Sequence, residues 1–87
     1  MVGSHYAFFY LMRADAKGIP EAVPDHVAHW RELGLEDYLG GPFQDRTGGL
    51  ITFRAEAVHR AEQAVANDPF VVRGLVDAYW LKPWSPE

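Results

Sequence analysis

The stretch Asn67-Asp68-Pro69-Phe70-Val71-Val72 constrains this chain more than any other. The residue before a proline is pushed out of helical geometry toward extended backbone. A helix-like run arriving at Asn67 must therefore stop, and the apolar run that follows starts afresh. Asp before Pro is also a good N-cap followed by a good first helical residue. The stretch sets a carboxylate at a bend between a helix and the most apolar strand. One oxygen of Asp68 can cap the turn from Phe70 to Gly74 while the other faces elsewhere, so a capping role and a functional role both stay open.

The rest of the chain falls into place around that bend. His5 to Met12 reads as a strand, with Tyr6, Phe8, Tyr10 and Met12 pointing one way and Ala7, Phe9 and Leu11 the other. Both faces are apolar, as in a strand buried on both sides. Arg13 to Pro20 is a polar loop broken by Gly18 and Pro20. Val23 to Leu33 reads as a helix, with Pro24 near its first turn and Gly34 as its stop. At 100° per residue, Val23, Val27, Trp30 and Leu33 share an arc of about 120°. His26 falls inside that arc and should face the sheet. His29 lies at its border and should be half exposed and solvated.

Tyr38 to Phe43 is a short strand at an edge, because Pro42 cannot serve a central ladder. Its Gly40-Gly41 pair marks a bulge or the close approach of another group, and Gly41 is open to either reading. Asp45-Arg46-Thr47-Gly48 is a turn, and Leu50 to Phe53 completes a hairpin. Ala55 to Ala66 is a second helix with a small apolar side of Ala57, Val58, Ala61, Ala64 and Val65. Leu75 to Lys82 is the last strand, ended by Pro83-Trp84. The order strand, helix, strand, strand, helix, strand is the ferredoxin-like split βαβ unit. We therefore expect one α+β domain over residues 1–87, with a four-stranded antiparallel sheet and both helices on one face.

Composition then limits what such a domain does. A chain of 87 residues buries only about 60–65% of its unfolded surface, yet 48% of this one is hydrophobic, with five Phe, four Tyr and three Trp. That load implies a homodimer about a two-fold axis, formed on the open sheet face and burying Phe8, Tyr10 or their strand neighbours. Trp80 and Trp84 suit packing or interface anchors. The net charge is −4 and no basic cluster exists, which argues against nucleic acid as a partner. No apolar run approaches the roughly 20 residues that span a bilayer, so no membrane partner is expected. The start, Met1 to His5, lacks a charged region followed by an apolar one, which leads to the expectation of a cytoplasmic protein. With no cysteine, thiolate nucleophiles and thiolate metal sites are excluded. His26 and His29 are three apart beside Asp25, but nothing completes a ligand set, so no metal is expected. No glycine-rich phosphate loop follows a strand, and no Ser or Thr stands in a nucleophile elbow. No cofactor is expected.

The opening aromatic strand, Pro24-Asp25-His26, Gly40-Gly41-Pro42-Phe43, Asn67-Asp68-Pro69-Phe70-Val71 and Trp80-Leu81-Lys82-Pro83-Trp84 resemble, in order and over nearly the whole chain, the YCII-related domain family. The resemblance implies a dimeric α+β barrel, two ferredoxin-like sheets packed face to face, similar in fold to the muconolactone-isomerase group. It also implies a pocket in each subunit holding a histidine of helix one and the aspartate of the Asp-Pro turn, which map here onto His26 and Asp68. One kind of member is a dehydrochlorinase of chlorinated hydroxyquinols. The loop Gln44 to Gly49 is short against the family pattern and would border the pocket.

His26 and Asp68 leave their helices on the same face of the sheet and can converge at one end of the helix layer. An imidazole takes and returns protons near neutrality, and a carboxylate partner holds its tautomer. The expected function is thus a small cofactor-independent enzyme. His26 and Asp68 would be its acid–base pair for isomerisation, proton abstraction or HX elimination on a small cyclic molecule. Tyr10, Gly41 and Pro42 would contact that molecule. The alternatives are a His26 that merely bonds a backbone carbonyl, and a domain that binds a small ligand or serves as a structural dimer without chemistry.

Overall fold

The computed structural model describes residues 3–87; the reading of Met1 and Val2 lies outside them. Its elements are β1 (Ser4–Met12), α1 (Ile19–Glu32), β2 (Leu39–Pro42), β3 (Gly48–Ala55), α2 (Val58–Ala66), the single turn α3 (Pro69–Val72) and β4 (Val76–Trp84). The strands form one antiparallel sheet in the order β2-β3-β1-β4. This is the ferredoxin-like α+β fold, with the helices on one face.

α1 begins at Ile19, four residues before the expected start at Val23. Gly18 caps it in the left-handed region at φ 88°, which glycine adopts without strain, and its carbonyl accepts the N–H of Ala22. Pro20 sits in the first turn, where a missing N–H costs nothing. Gly-Ile-Pro therefore starts a helix where the sequence reads as loop. Gly34, at φ 63°, ends it.

The second helix starts at Val58 instead of Ala55, because Ala55 pairs with Ser4 in the sheet and Ala57 is extended at φ −151°. β3 is longer than the expected Leu50–Phe53. Gly48 and Gly49 belong to it, opposite Leu11 and Tyr10. A Cβ at position 48 would lie 1.9 Å from the Tyr10 carbonyl oxygen, so only glycine lets the two strands approach there. Gly41, by contrast, is a regular partner of Leu50 with open space beside it, and the bulge reading fails. β4 continues through Pro83, which an edge strand tolerates.

Tyr6, Phe8 and Tyr10 of β1 and Ile51 and Phe53 of β3 point toward the helices and are buried with Trp30, Ala61 and Val65. Phe8 and Phe53 are inaccessible to solvent. Of the residues expected on the open face, Phe8, Tyr10 or their strand neighbours, Phe8 and Tyr10 are thereby excluded. That face carries their neighbours instead: Phe9 packs against Phe43 at 5.1 Å and Trp80 at 5.5 Å between ring centres, and Phe9, Leu50, Trp80 and Trp84 remain exposed.

The centre of α1 is also rotated from the predicted arc. Ala22, His26 and Trp30, four residues apart, face the sheet, whereas Val23 and Leu33 are about 40% exposed. His29 is half-buried and donates from Nε2 to the Ala64 carbonyl at 2.8 Å, tying α1 to α2 instead of being solvated. Among the described residues, no helix is long and apolar enough to cross a membrane.

Candidate active site

α2 ends at Ala66, and Asp68 is extended at φ −61°, ψ 127°. Its backbone carbonyl accepts the N–H groups of Val71 and Val72, which starts α3. The extended backbone turns the Asp68 side chain inward, where no part of the residue is accessible to solvent. A carboxylate so deeply buried is costly unless hydrogen bonds surround it. Three N–H groups do so. Phe70 N donates to Oδ1 at 2.8 Å, Trp30 Nε1 donates to Oδ2 at 2.8 Å, and His26 Nδ1 lies 2.9 Å from both oxygens. The carboxylate thus caps α3 and contacts His26 at the same time.

His26 and Trp30 reach Asp68 because they stand one helical turn apart on the sheet-facing side of α1. The His26 ring is stacked on Phe70, with centres 4.0 Å apart and planes 10° apart, and meets the Tyr10 ring edge-on at 5.9 Å. These contacts fix its plane. A carboxylate oxygen without a proton only accepts, so beside such an Asp68 the hydrogen of a neutral His26 would sit on Nδ1 and leave Nε2 as the basic nitrogen.

The imidazole borders a cleft of about 350 Å³ between α1, the β2–β3 hairpin and α3. Tyr10, Gly41 and Pro42 line it with His26, so four of the five residues singled out in the sequence meet there, and Asp68 stands behind the imidazole. Tyr10 is buried, and its phenol is pushed up to about 12, first by burial and then by the negative charge of Asp68 and by Tyr38. It stays a neutral O–H donor over the whole physiological range. The hollow between α2 and β4 around Glu62 and Tyr79 has no histidine in its lining.

Sequence reasoning missed several parts of this site. Trp30 was read as core only; its spacing of four from His26 was the available signal. Gly49, expected at the end of the loop Gln44 to Gly49, lies in β3, where a Cβ would come 2.3 Å from the Tyr10 hydroxyl oxygen, so its glycine makes room for that ring. Arg31 and Arg46 also line the cleft, and no local sequence signal marks either of them for it. Among the described residues, no group of three His, Asp or Glu side chains is arranged to hold a metal ion.

A ferredoxin-like α+β domain with a histidine–aspartate pair at the base of a small cleft is the class these observations define. The profile of the YCII-related domain family matches residues 7–85, and the chain belongs to that family. Among solved structures it is similar to 5-chloro-2-hydroxyhydroquinone dehydrochlorinase from Burkholderia phenoliruptrix AC1100 in complex with 2,5-dihydroxybenzoquinone. The two share 22% identity over 93% of each chain with a TM-score of 0.71, a likeness of fold. No curated protein matches the sequence significantly.

Proposed function

We propose that the protein is a small cofactor-independent enzyme in which His26 is the general base and acid and Asp68 its orienting partner. The observation that carries this reading is the contact of His26 Nδ1 with both Asp68 oxygens at 2.9 Å, beside a cleft of about 350 Å³. In this reading Nε2 takes a proton from a ring carbon or hydroxyl of a compact cyclic substrate. In an elimination, the electron pair of the broken bond forms a new C=C or C=O bond, and halide leaves with its own electron pair. In an isomerisation, the imidazolium returns the proton at another carbon. Neither route needs a covalent nucleophile. The Tyr10 hydroxyl and the backbone at Gly41 and Pro42 would hold the substrate.

The structural similarity to a dehydrochlorinase supports elimination from a halogenated hydroxyquinone or hydroquinone as the first reaction to assay. The reading also includes a homodimer that covers the open face carrying Phe9, Leu50 and Trp80, since monomeric proteins seldom expose so contiguous an apolar patch. The test is halide release from 5-chloro-2-hydroxyhydroquinone and its analogues, without added metal, by the parent protein and by His26→Gln. Turnover that disappears in His26→Gln supports the reading. Turnover that His26→Gln leaves intact contradicts it.

A further inference from the structure

We propose that the substrate of this cleft is an anion, a planar ring bearing an ionised oxygen group, and that Arg31 and Arg46 bind its charge. The proposal rests on the acid–base reading above and adds the substrate's class to it.

Arg31 continues a stripe on α1 formed with Val23 and Val27, four residues apart, which borders the mouth of the cleft beside the inward stripe of His26 and Trp30. Arg46 comes from a different element, the β2–β3 turn, and lines the same cleft. That turn is firmly built. Thr47 donates from its backbone N and its Oγ1 to Asp45 Oδ1 at 3.0 and 2.7 Å, which holds the Asp45 carboxyl below its usual range. Arg46 N donates to Phe43 O, and Met12 N donates to Thr47 O, which anchors the turn to β1. Arg46 itself adopts the left-handed backbone, at φ 65°.

Arg13, Arg54 and Arg73 each lie within 4 Å of an aspartate, at 3.7, 3.5 and 2.6 Å. Among the described residues, Arg31, Arg46 and Arg60 have no such partner; of these, Arg31 and Arg46 line the cleft, and no Asp or Glu lines it with them. In a chain of net charge −4, two unpaired arginines converging on one acid-free cleft are a binding feature for an anion. The remaining walls come from Tyr10, Tyr38, Ile51 and Phe70, apolar and aromatic surfaces that suit a flat ring. The arrangement also fits the chemistry. Proton abstraction by His26 leaves negative charge on the substrate, and cationic groups already aimed at that charge stabilise it without reorganising.

The test uses benzoate as the anionic probe and benzamide as its neutral counterpart of equal shape, titrated by NMR into the parent protein, Arg31→Gln, Arg46→Gln and the double variant. Benzoate should bind the parent more tightly than benzamide does. The double variant should lose roughly tenfold of the benzoate affinity while benzamide binding stays unchanged. Added salt should weaken benzoate binding to the parent and leave the double variant nearly insensitive. Equal affinity for the two probes, a double variant that binds benzoate as the parent does, or no saturable benzoate binding overturns the proposal. Because the measurement reads affinity and leaves His26 intact, its failure is separable from failure of the acid–base reading, which is tested by the turnover of His26→Gln.

Discussion

Trp30 Nε1 stands 2.8 Å from Oδ2 of Asp68, so the largest buried side chain of the core is also a donor to the carboxylate of the site. Core and site are therefore one construction. Trp30→Phe should keep most of the packing but remove that donor, and a buried carboxylate left short of a partner costs about 1–3 kcal/mol. Trp30→Ala adds a cavity, for a total of about 3–5 kcal/mol. Urea denaturation of the two variants checks the order. If Trp30→Phe were as stable as the parent, the indole N–H would be unimportant to Asp68.

Glycine positions in the hairpin separate close approach from mere flexibility. Gly48→Ala would press a methyl group into the Tyr10 backbone and should destabilise by about 1–3 kcal/mol or more. Gly41→Ala meets open space and should change stability by less than about 0.5 kcal/mol. Thermal melts of the pair check this, and equal effects would contradict the register of β1 against β3.

Tyr10 gives the fold a dependence on alkaline pH. Its phenol titrates near 10.0 when unfolded and at about 12 when folded. Because the folded value is raised, the contribution is full below pH 10 and is lost as pH climbs toward 12, when only the unfolded chain ionises readily. A shift of this size corresponds to about 2–3 kcal/mol. Stability measured from pH 9 to 12 should fall more steeply in the parent than in Tyr10→Phe. Parallel curves would mean that the phenol is not desolvated.

His29 ties the helices together through the Ala64 carbonyl at 2.8 Å. His29→Ala should cost about 1 kcal/mol, the usual net worth of such a bond. Denaturation midpoints would show it, and a neutral result would restore the solvated histidine expected from helical periodicity.

Much of this architecture was legible from local signals. The order of the elements followed from two periodicities and from breakers that act within a few residues, such as Gly34 and Asp68-Pro69. His26 and Asp68 were legible because one faces inward by helical spacing and the other is held at a bend by a proline. What stayed hidden depends on partners distant in sequence. β1 is apolar on both faces, so alternation could separate Phe8 from Phe9 but could not say which faces the helices. The arc of α1 was centred on its largest aliphatic residues, yet Val23 borders the cleft and Ala22 meets the sheet. The donation from Trp30 spans 38 residues, and the need for glycine at 49 exists only because Tyr10 and the Gly41 carbonyl lie on either side.

The open face makes a separate claim. Light scattering at micromolar concentration should show a dimer, and Phe9→Asp with Trp80→Asp should yield a monomer that keeps its fold. A monomeric parent would remove the homodimer from the account.

The central claim is that Asp68 holds the hydrogen of His26 on Nδ1 and leaves Nε2 free to take a proton. Nitrogen-15 NMR of the ring, at a pH where the imidazole is neutral, reads the tautomer directly. The account predicts that His26 in the parent protein carries its hydrogen on Nδ1 and that Asp68→Asn loses this preference. A His26 protonated on Nε2 in the parent, or a tautomer that Asp68→Asn leaves unaltered, would contradict it.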